Sequence, residues 1–269
     1  MSFNKKIVIR GGGDIATGVA QKFFRAGFDV IVLEIPAPTA IRRTVALCEA
    51  AYDGKARVED MICKKAESLE HVQSCLKSKN IPLLIDPLAE SVSRLNPTAV
   101  IDAILAKRNL GTDINMAPIT IALGPGFFAG DDVHVVVETK RRHDLGRLIF
   151  QGSALADTGI PGEIGGESNQ RVLRAPISGI VKGHKRIGEI AEKGDVVFTV
   201  FNQPVHAPFR GVLRGLIRDG TAVPKGMKTA DIDPRVDIDV HTISDKARSI
   251  GGAALEAYFY LRNKFEGDM

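Results

Sequence analysis

The 269-residue chain holds few of the groups that announce a chemistry on their own. It has no tryptophan and three cysteines, Cys48, Cys63 and Cys75. These are odd in number, show no C-x-x-C spacing and sit among lysines and glutamates. That excludes an all-cysteine tetrahedral zinc site by count, and it suits reduced thiols in the cytoplasm rather than a disulfide framework. No apolar run approaches the roughly 20 residues needed to cross a bilayer, and only Ile7-Val8-Ile9 precedes the first glycines, so neither a membrane partner nor a secretion signal is expected. Charge of either sign is nearly balanced: 36 Lys and Arg against 32 Asp and Glu leave +4, too little to imply a nucleic-acid partner. The histidines show no H-E-x-x-H or H-x-x-x-H spacing, and there is no G-x-S-x-G elbow and no G-x-x-x-x-G-K-[ST] phosphate loop.

What is present is an ordinary globular composition, 44% apolar and 25% charged, long enough for about two domains. Residues 159–170, GIPGEIGGESNQ, carry four glycines and no apolar periodicity and mark a linker. Before it, β-branched runs at 7–9, 30–33, 83–85, 99–104, 119–123 and 133–137 alternate with helix-length segments. This pattern predicts an α/β domain over 1–158, a Rossmann-like open, mostly parallel sheet. After the linker the chain matches itself at an offset of 32 residues. Ala175-Pro176 aligns with Ala207-Pro208, and Gly179, Gly183, Gly188 and Gly194 with Gly211, Gly215, Gly220 and Gly226. Recurring turns at fixed spacing predict two β-hairpin units over 171–243. They are similar to the barrel-sandwich hybrid of biotinyl and lipoyl carriers. No lysine lies between Asp195 and Pro224, so no covalent biotin or lipoyl group is expected, and the module reads as a docking or structural element. Residues 244–269 form a C-terminal helical segment with a Ser244 N-cap. Its Gly251-Gly252 pair signals either two shorter elements or a close backbone approach. The adjoining Tyr258, Phe259 and Tyr260 suit core packing or an interface.

Ile7-Val8-Ile9-Arg10 leads directly into Gly11-Gly12-Gly13-Asp14-Ile15-Ala16 and then into a helical stretch with Ile15, Val19 and Phe23 on one face. This is G-x-G-x-x-A in the strand, turn and helix context that cradles a pyrophosphate on a helix N-terminus. The next strand ends at Glu34, whose carboxylate can accept hydrogen bonds from both ribose hydroxyls and so favours NAD, while Arg42 and Arg43 could receive a 2′-phosphate instead. Asp14 in the first helical turn opposes a phosphate, and the same glycines would also serve strand-to-helix packing.

A second glycine loop, Gly124-Pro125-Gly126, follows the strand at 119–123, where ligands of open α/β sheets collect. The basic stretch after residue 137 offers Arg141, Arg142 and Arg147 as anion clamps, and Lys107-Arg108-Asn109 has the same character. Asp231, Asp233, Asp237, Asp239 and His241 alternate as on an extended strand, a pattern that fits a wet edge strand better than a metal site, so no metal is expected.

The stretches IRGGGDIATGVAQKFFRAGFDVIVLE, LGPGFFAG, VETKRRHDLGR, IPGEIGG, DIDPR and ISDKARSIGGAALEA together resemble the selenium-dependent molybdenum hydroxylase system proteins, relatives of the XdhC/CoxI-like xanthine dehydrogenase accessory group. The resemblance implies a cytoplasmic maturation protein that binds NAD(P) or a molybdopterin dinucleotide at Gly11, Gly13, Ala16 and Glu34. It also implies a molybdenum hydroxylase, or the proteins that mature its cofactor, as partner, and it allows a homo-oligomer. The alternative is an enzyme acting on the molybdenum cofactor. An NAD(P)-dependent oxidoreductase would use His143 or Asp86 as proton donor, and a sulfur or selenium transferase would use Cys63 or Cys75.

Overall fold

The computed structural model describes residues 5–157, 159, 166–167 and 169–267. Residues 160–165 and 168, most of the expected linker, lie outside the described residues. The chain divides into two compact units: residues 1–38, 46–157 and 243–269 form the first, and 39–45 with 158–242 the second.

The first unit is built on a nine-stranded sheet. In chain order its elements are β1 (Lys6–Arg10), α1 (Asp14–Arg25), β2 (Asp29–Glu34), α2 (Ala50–Asp53), β3 (Lys55–Val58), β4 (Met61–Ala66), α3 (Leu69–Lys77), β5 (Ile81–Ile85), α4 (Val92–Leu95), β6 (Ala99–Asp102), β7 (Ile119–Leu123), β8 (Val135–Val137), β9 (Leu148–Ile149) and, from the far end of the chain, α5 (Asp245–Gly267). The sheet order is β3-β4-β5-β2-β1-β6-β7-β8-β9. Neighbours from β4 to β8 run parallel, and β3 and β9 pair antiparallel at the two edges. The runs Ile7 to Ile9, Val30 to Leu33 and Ile119 to Leu123 are buried throughout, as strands covered on both faces must be.

The Rossmann-like open sheet expected from the sequence is therefore corrected to a large mixed sheet accompanied by separate antiparallel sheets. The reason lies in the connections. A doubly wound sheet needs a helix at each crossover, but β6 reaches β7 through a single 3₁₀ turn at Ile114–Met116, and β7 reaches β8 through a glycine loop. One face is covered instead by α1 together with α5. The other buries Val8, Ile31, Leu33 and Val100 against Val72 of α3 and Val92 and Leu95 of α4. The antiparallel β3–β4 hairpin and β9 carry little apolar alternation, and the sequence reading missed them.

Helix α5 runs unbroken through Gly251-Gly252. A Cβ on Gly251 would lie 2.5 Å from the Gly18 carbonyl oxygen, and one on Gly18 only 2.4 Å from that of Ala247, so α1 and α5 meet backbone to backbone. Tyr258 completes the contact from inside the core, edge-on to Phe23 and Phe28 with ring centroids 5.8 and 5.0 Å away, whereas Tyr260 packs outside on Phe150 at 4.7 Å. A polar clasp adds to it: Glu59 accepts from the Ile243 N–H at 2.9 Å, from Arg248 at 2.6 Å and from Gln21 at 2.7 Å.

The second unit contains β10 (Val172–Arg174), β11 (Gly179–Gly183), β12 (Ile190–Ala191), β13 (Val196–Val200), β14 (Gln203–His206), β15 (Gly211–Leu216), β16 (Ala222–Val223) and β17 (Lys228–Asp233). They form two four-stranded antiparallel sheets, β10-β17-β15-β12 and β14-β13-β11-β16, around Val181, Phe198, Leu213 and Ile232. The carrier-type barrel-sandwich hybrid is corrected to this pair of sheets. The 32-residue offset is visible in β11 and β15, β12 and β16, and β13 and β17. The two halves are not separate hairpins, however, because β16 pairs with β11 and β12 with β15. Each sheet thus takes strands from both copies.

Candidate functional site

The carboxyl ends of β1, β2 and β6 meet at the glycine loop. Gly11 needs its left-handed φ of +92° to leave β1, donates its N–H to the Leu33 carbonyl at 2.8 Å, and would collide with the Ile104 backbone if it carried a Cβ. Gly12 is just as constrained. Its carbonyl accepts from the Cys48 N–H at 2.8 Å, and an added Cβ would sit 2.9 Å from that nitrogen. Gly13 differs: it is the N-cap of α1 with no side-chain cap, and a Cβ there would meet nothing within 4 Å. Behind it, Thr17 donates to the Gly13 carbonyl at 2.8 Å and accepts from the Leu47 N–H at 3.0 Å, which pins the 3₁₀ turn Leu47–Glu49 against the loop. Ile15 and Ala16 are buried between helix and sheet, and Asp14 lies in the first turn.

Glu34 stands beside this loop at the end of β2. Burial pushes its carboxyl up from 4.5 to about 7, against the opposing effect of hydrogen bonds from the Ile35 and Gly12 N–H groups. Cys48 is buried next to it, and burial, reinforced by Glu34, Glu49 and Asp14, holds its thiol protonated. The surroundings of the loop are therefore acidic. Neither the turn carrying Cys48 and Glu49 nor its contact with Gly12 was legible in the sequence, since residues 43–49 have no period and no motif.

At the next strand, Arg10 and Asp102 are both buried and 3.7 Å apart, bridged by Thr112, which accepts from Arg10 at 2.6 Å and donates to Asp102 at 2.6 Å. Arg10 also donates to the carbonyls of Pro87 and Leu110, so it staples the loops after β5 and β6 over the strand ends. Burial raises the Asp102 carboxyl in spite of these partners.

The remaining sequence candidates are used differently. Gly124 lies under Thr139, and the space beside Gly126 is filled by the Arg108 backbone, 2.5 Å from where a Cβ would be. With Pro125 between them, this loop closes on its neighbours and leaves no recess like that at Gly13. Arg141 makes a two-pronged bridge to Asp245, both bonds 2.8 Å, and Arg142 is exposed on the same turn. Three strand spacings, about 14 Å, separate β1 from β8, the strand that leads into this turn. Asp86 is consumed as a cap: although burial works against it, its bonds from Ser91 and the Glu90 N–H hold the carboxyl below the usual range. His143 is exposed. All three cysteines are buried and their thiols pushed up by burial, the opposite of what a transferase nucleophile requires.

In the second unit Arg43 donates to the Leu216 carbonyl at 2.8 Å and Arg42 is buried. Asp231 and Asp233 are ion-paired with Arg171, Arg214 and Arg235, and the chain leaves the strand before Asp237, Asp239 and His241. No group of three potential metal ligands occurs among the described residues.

A cavity of about 460 Å³ opens at the amino ends of β6, β7 and β8, lined by Asn96, Asn115, Met116 and His134 among others. His134 accepts the Thr120 N–H at 3.1 Å, and burial keeps it neutral. No charged side chain lines this cavity and no helix of eight or more residues starts in it, whereas the glycine loop opens α1 with an N-cap, Gly13, that has no side-chain cap.

No family model matches the chain. It is 46% identical over 264 residues to an uncharacterized protein, YqeB, of Escherichia coli K12, an alignment covering 98% of this chain and 49% of that protein. The chain thus spans about half the length of the curated relative it matches. Solved structures of similar outline include a succinylglutamate desuccinylase from Silicibacter sp. TM1040 (12% identity, 85% and 84% of the two chains, TM-score 0.26) and an aspartoacylase family protein from Mesorhizobium loti MAFF303099 (12%, 86% and 85%, TM-score 0.28). The ectoine utilization protein EutE of Ruegeria pomeroyi is a third (12%, 85% and 85%, TM-score 0.25). At such scores these likenesses assign neither a fold nor an activity to this chain.

The resemblance to the selenium-dependent molybdenum hydroxylase proteins is not sustained. No family model matches the chain, and the name of the relative at 46% identity records no activity. Hydroxylase maturation, and the oxidoreductase or chalcogen transferase acting on its cofactor, are corrected with it. No helix of the described residues is long and apolar enough to cross a membrane.

Proposed function

We propose that the first unit binds a nucleotide carrying a pyrophosphate and a ribose diol, of the NAD(P) or pterin dinucleotide class. The observation that carries this reading is the uncapped N-terminus of α1 at Gly13, with room for a phosphate where a side chain would lie, next to a half-buried Glu34. Backbone N–H groups and the helix dipole at Asp14, Ile15 and Ala16 would hold the pyrophosphate. Glu34, ionised on binding, would accept from the ribose hydroxyls. Gly11 and Gly12 shape the loop and are fully used in doing so. The acidic surroundings of Cys48 disfavour a further phosphate on the ribose. The finer placement we propose is the cytoplasm, supported by three unpaired cysteines.

Calorimetric titration with NAD, NADH, NADP and molybdopterin cytosine dinucleotide tests the reading. One of them should bind the native chain, and Gly13→Val should abolish binding while lowering the unfolding temperature only slightly, because the valine enters open space and gives up only the N-cap preference for glycine. A ligand at 100 times its dissociation constant adds about 2.7 kcal/mol to stability, which thermal unfolding also detects. Absence of binding by all four, or equal binding by Gly13→Val, refutes the proposal.

A further inference from the structure

Phe201 is the most exposed of the large apolar side chains among the described residues, at 75%, and it sits where the backbone least favours it. With Asn202 it forms the two-residue turn between β13 and β14, at a φ of +53°. That left-handed region suits glycine or asparagine and penalises a residue with a bulky Cβ substituent. Folding gains nothing from an aromatic ring placed there, since the ring is neither buried nor in its preferred backbone.

The turn is nevertheless firmly built. The Phe201 N–H donates to the Ile180 carbonyl at 3.2 Å, and the Phe201 Cβ lies 3.4 Å from where Gly179 would carry its own. Ile180 is itself 53% exposed and pairs with exposed Ala222. Lys182, two residues along β11, is exposed on the same outward face opposite Thr199 and Pro204. The three stretches that make this end of the sheet, 176–182, 199–206 and 222–228, contain Lys182, Lys225, Lys228 and His206 and no Asp or Glu. Asp219, close by in sequence, accepts from the Gly183 N–H at the other end of β11.

We infer that this turn is a peg for an acidic protein partner: Phe201 enters an apolar socket, Ile180 and Ala222 extend the contact, and Lys182 and Lys225 face carboxylates on its rim. A protein fits better than a lipid surface because the ring is held on a fixed, strained backbone. Such preorganisation rewards a socket of defined shape, whereas a fluid bilayer accepts any orientation. This surface belongs to the second unit and is independent of the nucleotide site.

The experiment places the photo-crosslinking residue p-benzoylphenylalanine at position 201, and at Leu88 as a control in the other unit, in cells of the source organism. A protein joined only through position 201, at an apolar residue within an acidic segment, is then purified and its binding to the full chain measured. Phe201→Asn, which suits the left-handed turn and should unfold no earlier than the native chain, is expected to weaken binding at least tenfold. Lys182→Glu combined with Lys225→Glu should do the same, and native binding should weaken as salt rises. The inference is overturned if no cross-link is specific to position 201 or if the purified partner binds Phe201→Asn unchanged. It is also overturned by Phe201-dependent binding to vesicles of phosphatidylserine and phosphatidylcholine (3:7) in place of a protein, which would make the turn a membrane contact.

Discussion

Replacing Glu34 with glutamine should make the protein more stable at high pH and leave it unchanged at low pH. Burial lifts the Glu34 carboxyl from 4.5 to about 7. Its folded value therefore lies above its unfolded one, and folding favours the protonated form. Below about pH 4.5 both states hold the proton and nothing is lost. Between 4.5 and 7 the unfolded chain ionises first and stability falls, and above about 7 the loss is complete. At about 1.4 kcal/mol for each tenfold, the difference between 4.5 and about 7 corresponds to about 3 kcal/mol. Water reaching the half-buried carboxylate reduces this to about 1–3 kcal/mol. Glutamine keeps the acceptor for the Gly12 or Ile35 N–H but has no charge to bury. Urea unfolding of both chains at pH 4.5, 6, 7 and 8.5 should show a gap that opens across this range in favour of Glu34→Gln. A gap independent of pH, or a native chain that becomes relatively more stable as pH rises, would refute the assignment of a buried, reluctant carboxylate beside the glycine loop. The same chemistry gives the proposed ligand a signature: a ribose that requires the ionised acid must release a proton on binding near pH 7. Calorimetric enthalpies should then depend on the buffer for the native chain and not for Glu34→Gln.

Other perturbations separate close packing from open space. Gly251→Ala drives a methyl group to within 2.5 Å of the Gly18 carbonyl and should cost about 2–4 kcal/mol in urea unfolding, whereas Gly252→Ala, one residue on, meets nothing within 4 Å and should gain about 0.5–1 kcal/mol from helix propensity. Gly12→Ala should destabilise through the Cys48 backbone by more than the small N-cap cost that Gly13→Ala carries, a contrast readable from two melting curves. Asp102→Asn leaves Arg10 buried without its counter-charge and should cost about 3 kcal/mol by denaturant titration. Arg141→Ala, which breaks an exposed bridge to Asp245, should change stability by less than about 1 kcal/mol.

What the sequence reveals here follows the range of the physics involved. Buried strands declare themselves locally, and the runs at 7–9, 30–33 and 119–123 are where β1, β2 and β7 lie. The glycine spacing likewise exposed the 32-residue offset, because a turn's left-handed residues are local: Gly188, Gly194, Gly220 and Gly226 all have positive φ. Pairing is not local. Nothing in the spacing of Ala222 tells that β16 pairs with β11 of the other copy, nor does the pattern at 55–66 disclose an antiparallel edge. Within the candidate site, the turn from β1 into α1 at residues 11 to 16 and the position of Glu34 at the end of β2 were legible, while their binding of a nucleotide is the proposal made above. The residues brought in from elsewhere, Cys48, Glu49 and Thr112, were not, although they set the electrostatics and hold the loops. The ion pair of Arg141 was hidden for the complementary reason: its partner Asp245 is more than 100 residues away and invisible to any local window.

The backbone contact between α1 and α5 also fixes an order of events during synthesis. Helix α1 follows directly on the glycine loop, yet Gly18 and Gln21 find Gly251 and Arg248 more than 220 residues later, after the chain has left the first unit and built most of the second. Once residue 157 has emerged from the ribosome, a further 112 residues must follow before the first unit is complete, about 6–22 s at ordinary elongation rates. Throughout that interval Phe23 has Phe28 beside it, at 5.5 Å between ring centroids, but not Tyr258 of α5. The seam between α1 and α5 is therefore made late in synthesis, whereas the bonds that hold the glycine loop, between Leu33 and Gly11 and between Gly12 and Cys48, lie within the first 48 residues.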